Sequence, residues 1–142
     1  MGTPIEVALN GFQGAPARVV ASSAGEDDAY VLLDINATGC RSLYGVNCHR
    51  RAGVWEEGNT ANGPGWSQRS LDSPLGTLAF WGETLVNADR ALIALNRDTV
   101  EVPVNEGVFL ATWWSVPDGV FGFPFLAAVR VEGEWRESAS QL

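Results

Sequence analysis

A chain of 142 residues, 46% hydrophobic and 18% charged, can bury roughly 70% of the surface its unfolded form exposes. It is therefore expected to fold as one domain over residues 1–142, without a metal or disulfide staple. Its net charge of −8, with nine arginines and no lysine, argues against nucleic acid or an anionic membrane as partner, since both select clustered positive charge.

The acidic excess is uneven. Five arginines face seven acids up to residue 71, and four face ten acids after it. No apolar run approaches the ~20 residues of a membrane span. The start, MGTPIEVALNGFQG, has neither the basic region nor the long apolar core of a signal peptide. The cytoplasm is the expected location, although a signal segment already removed would leave the same sequence.

Taken in order, Ile5, Val7 and Leu9 alternate with Glu6 and Ala8, which reads as a short first strand ending at Asn10-Gly11. Residues 17–22 form a second strand around Val19 and Val20. The turn Gly25-Glu26-Asp27-Asp28 carries solvated acids and lacks the ligand spacing of a calcium loop. Residues 29–35 and 41–49 are rich in strand formers. Arg50-Arg51-Ala52-Gly53 turns the second of these into residues 54–57.

Residues 58–74, GNTANGPGWSQRSLDSP, form the longest polar segment and read as a loop, with Trp66 either a lid or an exposed contact. Strand character resumes at 75–82 and again at 91–95. Residues 99–116 are the organising hairpin. Val100, Val102 and Val104 alternate with Thr99, Glu101 and Pro103. Asn105-Glu106-Gly107 is expected to be a three-residue turn, and the return strand is apolar on both faces. Residues 117–124 are bracketed by prolines yet carry Phe121 and Phe123. Residues 125–131 form another strand, Glu132-Gly133-Glu134 turns it, Trp135-Arg136 begins a last short one, and 138–142 fray.

Nine or ten strands at close spacing, with tight turns and no helix, indicate an all-β fold. The expected form is an antiparallel β-sandwich, immunoglobulin-like or Greek-key, with the 58–74 loop joining strands that are not hairpin neighbours.

Reactive chemistry has little footing. No phosphate loop, nucleophile elbow or metal-ligand spacing is present. No catalytic residue, metal site or cofactor is assigned. Cys40 and Cys48 would lie about 26 Å apart along a strand rising roughly 3.3 Å per residue, so a strand here and a disulfide exclude each other. Cys48 and His49 are neighbours, which a strand would point to opposite faces. Asp34 lies within an apolar strand, either at an exposed edge or buried with a partner. Glu132 and Glu134 flank a turn, where solvated charge is expected.

The remaining signal is aromatic, with six Trp, six Phe and two Tyr. Trp113 and Trp114 cannot both face inward on one strand. Core packing accounts for much of this aromatic content. The functional alternative is an exposed patch formed by Trp66, one of Trp113 and Trp114, and Phe121 with Phe123.

The runs NGPGW (62–66) and LGTLAFWGE (75–83), Ala88-Asp89, and VEVPVNEGVFLATWW (100–114) with Val116-Pro117 resemble a family of small, acidic, Arg-rich bacterial proteins of unknown function. The resemblance spans roughly residues 17–136 and rests on turns and core strands. It implies a bacterial origin and carries over no functional residue.

The leading expectation is a non-enzymatic interaction module that uses exposed aromatics to bind a protein partner or a second copy of itself. A small carbohydrate-binding domain, stacking tryptophan on sugar rings beside Asn59, Asn62 and Gln68, is the alternative. A hydrolase using Asp34 or Glu57 is the weaker one.

Overall fold

A computed structural model describes residues 2–63, 65–69, 75–84, 86–117 and 123–137. The described residues are all-β apart from one short helix, with two antiparallel sheets, which is consistent with the β-sandwich class. The chain divides into two compact units, Met1–Pro64 and Gly65–Leu142.

The first unit opens with the helix, α1 (Pro4–Asn10), where alternation suggested a strand. The correction has a local cause. The Thr3 hydroxyl accepts from the Glu6 amide at 3.2 Å, and the Glu6 carboxylate accepts from the Thr3 amide at 3.3 Å. This reciprocal cap, with Pro4 opening the helix, satisfies two amides that a helix start otherwise leaves bare. Val7, Ala8 and Leu9 face the sheet, whereas Ile5, the first member of the apparent alternation, is 38% exposed.

Four strands follow as a meander: β1 (Arg18–Ala24), β2 (Asp28–Asp34), β3 (Leu43–Arg51) and β4 (Val54–Asn62). Ala29, Val31 and Leu33 of β2 pair with Cys48, Val46 and Tyr44 of β3, and this face packs against Ala8 of the helix. Phe12 meets the Tyr44 ring edge-on at 5.1 Å. The intervening residues Tyr30 and Leu32 are buried too, so β2 lacks the one-sided pattern of a surface strand.

The second unit holds β5 (Gly65–Arg69), β6 (Leu75–Glu83), β7 (Arg90–Leu95), β8 (Asp98–Asn105), β9 (Val108–Pro117), β10 (Phe125–Val131) and β11 (Glu134–Glu137). Their order in the sheet is β11-β10-β7-β8-β9-β6-β5. The organising hairpin is present as β8 and β9, but the strands pair only beside their turn, at Val104 with Phe109 and Asn105 with Val108. The rest of β8 pairs with β7, and β9 pairs along its length with β6. Ala91, Ile93, Val102, Phe109 and Val129 form the core of this unit, and Phe80 leans on Phe109 at 5.4 Å between ring centres.

Three two-residue turns share one chemistry. Ala52-Gly53, Glu106-Gly107 and Glu132-Gly133 have φ values of 52° and 78°, 53° and 80°, and 52° and 81°. Positive φ at both central residues is what a type I′ hairpin turn demands. The turn at 105–107 is accordingly two residues long, with Asn105 still in the ladder.

The described residues contain eleven strands. The expected first strand is a helix, and the segment read as a loop over 58–74 holds the end of β4 and all of β5. β5 stands at one end of the sheet order, and an edge strand needs no apolar stripe to be formed. Residues 70–74 of that segment and residues 138–142 lie outside the described residues.

Candidate functional site

The five candidate aromatics have different fates. Trp113 is half-buried and packs against the core of the second unit. Trp114 is half-buried beside it. Trp66 lies on β5 in register with Phe80 of β6. Phe121 lies outside the described residues. Phe123 is 72% exposed.

Exposure continues from Phe123 in a direction the sequence did not indicate. Pro124 is buried, and Phe125, at the head of β10, is again 52% exposed. Trp135 on β11 is 43% exposed, within a strand whose four residues are all exposed. These aromatics belong to one hairpin and its approach segment, at the end of the sheet opposite β5.

The setting of Trp135 is electrostatically organised. It pairs across the hairpin with Arg130, whose guanidinium lies 6.0 Å from the indole ring centre. Arg130 also grips Asp89 through two contacts, Nε to Oδ1 at 3.1 Å and an amino nitrogen to Oδ2 at 2.6 Å. Hydrogen bonding from Arg130 holds the Asp89 carboxyl below its usual value, and the same bond raises the guanidinium. Next to this pair, Arg90 meets Glu101 at 3.0 Å. The cation beside the indole is thus held by two hydrogen bonds to the Asp89 carboxylate.

The two acids weighed for hydrolysis, Asp34 and Glu57, lie apart from one another. Asp34 is 3% exposed, and its Oδ1 accepts from the Asn36 and Ser42 amides, both at 3.0 Å. The carboxylate therefore closes the β2–β3 connection. Glu57 pairs with Cys48 and Asp34 with Leu43, five residues apart along β3. At roughly 3.3 Å per residue that is about 17 Å, on opposite faces, beyond the reach of an acid–base pair. Cys40 is an exposed free thiol and Cys48 a buried one, so no disulfide joins them. Cys48 faces the helix side of the sheet, and His49, its neighbour, the other.

Among the described residues no group of three or more His, Cys, Asp or Glu side chains could hold a metal ion. No described helix is long and apolar enough to cross a membrane. A small cavity of about 110 Å³ lies between the start of α1 and β1, lined by Pro4, Ile5, Ser22, Ser23 and Val31.

Comparison with known proteins found no matching family model, no similar curated protein and no similar solved structure. Phe123 is among the aromatics that the sequence marks as candidates, whereas Phe125 and Trp135 are not. The available signal was the Phe-Pro-Phe spacing of 123–125, which places two rings on either side of one fixed residue.

Proposed function

We propose that this protein is a non-enzymatic interaction module, and that it engages a protein partner through Phe123, Phe125 and Trp135. The observation that carries the reading is the exposure of Phe123 and Phe125, 72% and 52%, on either side of buried Pro124. Burying a phenylalanine side chain is worth about 1.5–3 kcal/mol. Two rings exposed to this extent are apolar surface that a complementary partner can cover.

The strand order supports a Greek-key arrangement as the scaffold. β7, β8 and β9 are neighbours in chain order, and β10 returns beside β7, giving β10-β7-β8-β9. Such a return leaves β10 and β11 as the last two strands of the sheet order, and all four residues of β11 are exposed.

The test compares wild type with a Phe123→Ser, Phe125→Ser double variant. Sedimentation velocity at rising concentration reads self-association. Capture from a bacterial lysate, followed by titration of the purified captured protein, reads a heterologous partner. Binding by wild type that weakens at least tenfold in the variant supports the proposal. A wild type that stays monomeric, and binds nothing the variant does not bind equally, overturns it.

A further inference from the structure

On the opposite face of the first sheet from α1, two polar atoms are buried with no hydrogen-bond partner among the described residues: Asn47 Oδ1 and His49 Nδ1. Asn47 is 1% exposed, and its Nδ2 donates to the Ala29 carbonyl at 3.2 Å. That bond fixes the amide plane and turns Oδ1 away from Ala29. Asn47 and His49 are two apart on β3 and therefore share a face. Two orphaned buried atoms this close in the chain call for a common explanation, because a buried polar group left bare loses the hydrogen bonds that water gave it.

Gly58 on β4 supplies it. The β3–β4 ladder slips between Val46 and Cys48, so that Gly58 and Asn59 together oppose Asn47 as a β-bulge. A Cβ on Gly58 would stand 3.0 Å from the Asn47 carbonyl oxygen, 3.3 Å from His49 Nδ1 and 3.6 Å from Asn47 Oδ1. All three groups thus converge on the space that the missing side chain leaves free. The bulge also spares backbone groups from the ladder, as an extra residue must.

We infer that this is a binding site for one water molecule, held by Asn47 Oδ1 and His49 Nδ1 and admitted by Gly58. The chemistry selects water. Asn47 Oδ1 can only accept, so the ligand must donate to it. His49 Nδ1 accepts or donates according to its tautomer, and water answers either. A site with two to four polar partners is what an internal water requires. The water ties the bulge to β3 and sets the orientation of the His49 ring.

The experiment is a crystal structure of the wild-type chain at a resolution that shows ordered solvent, alongside one of Gly58→Ala. The expected result is a density peak at about 2.6–3.2 Å from both Asn47 Oδ1 and His49 Nδ1 in wild type. That peak is absent in Gly58→Ala. Since Gly58→Ala can fail to fold, Asn47→Leu gives a second arm: the peak is lost there and the His49 ring adopts more than one orientation. A wild-type structure with no peak between the two atoms, or with Asn47 Oδ1 bonded to a protein donor instead, overturns the inference.

Discussion

The ring of Tyr30 on β2 lies against Gly45 on β3, so closely that any Cβ at position 45 would overlap its hydroxyl. Tyr30 is 1% exposed and cannot swing into solvent to make room. Gly45 is thus fixed by its neighbour's bulk, with no unusual backbone angle involved. Gly45→Ala is expected to cost about 1–3 kcal/mol, the usual range for overpacking a tight interior. Urea unfolding reads it. Pairing Gly45→Ala with Tyr30→Leu should recover part of the loss, giving a coupling of about 0.5–3 kcal/mol. Strict additivity would show that the two residues do not meet in solution.

Asp34 offers a contrasting case, a buried acid that closes a turn between two strands. Its Oδ1 serves two backbone amides, from Asn36 and Ser42. Asp34→Ala leaves both donors short of an acceptor inside the fold, at about 1–3 kcal/mol for each unsatisfied group. Asp34→Asn retains a carbonyl oxygen in the same place and should lose clearly less. Equal losses in the two variants would indicate that the charge, and not the acceptor, matters here.

Thr3 tests the helix that closes one face of the first unit. Thr3→Ala removes the acceptor for the Glu6 amide and should cost about 1 kcal/mol. Amide exchange over residues 4–10 should rise more than exchange in β2. Equal protection in both proteins would show that packing of Ala8, rather than the cap, holds the helix.

The same segment shows where sequence reading succeeds and where it fails. Thr3-Pro4-Ile5-Glu6 is a capping sequence that opens a seven-residue helix, too short for its 3.6-residue period to outweigh the alternation of Ile5, Val7 and Leu9. The X-Gly turns at 52–53, 106–107 and 132–133 were legible in position, because glycine tolerates positive φ, but each is two residues long where the sequence suggested three or four. β5 was not legible, because a polar edge strand carries no apolar period. Phe125 was missed for a third reason. Strict alternation puts residues 125 and 129 on one face, but a bulge between Leu126 and Ala128 shifts the phase. Val129 is then fully buried while Phe125 stands in solvent. A single inserted residue decides which ring is available for binding, and nothing in FLAAVRV announces it.

Cys48 couples the first unit's stability to alkaline pH. Its thiol is fully buried on the helix side of the sheet, with Sγ 3.7 Å from the Pro4 carbonyl oxygen. Burial chiefly, and the Glu57 carboxylate secondarily, push its pKa from 9.0 up to about 11. The unfolded chain releases this proton near pH 9, whereas the folded chain keeps it until about pH 11. The stabilisation is therefore complete below pH 9 and is lost as pH climbs through the folded value, with a total on the order of 2–3 kcal/mol. Urea midpoints from pH 8 to 11 should fall more steeply for wild type than for Cys48→Ala, the comparison removing every other alkaline group. At neutral pH, a thiol reagent should label Cys40 at once and Cys48 only on unfolding, because the thiolate is the reactive form. Two fast thiols in the native protein, or parallel pH profiles for wild type and Cys48→Ala, would mean that the helix does not seal Cys48 from water.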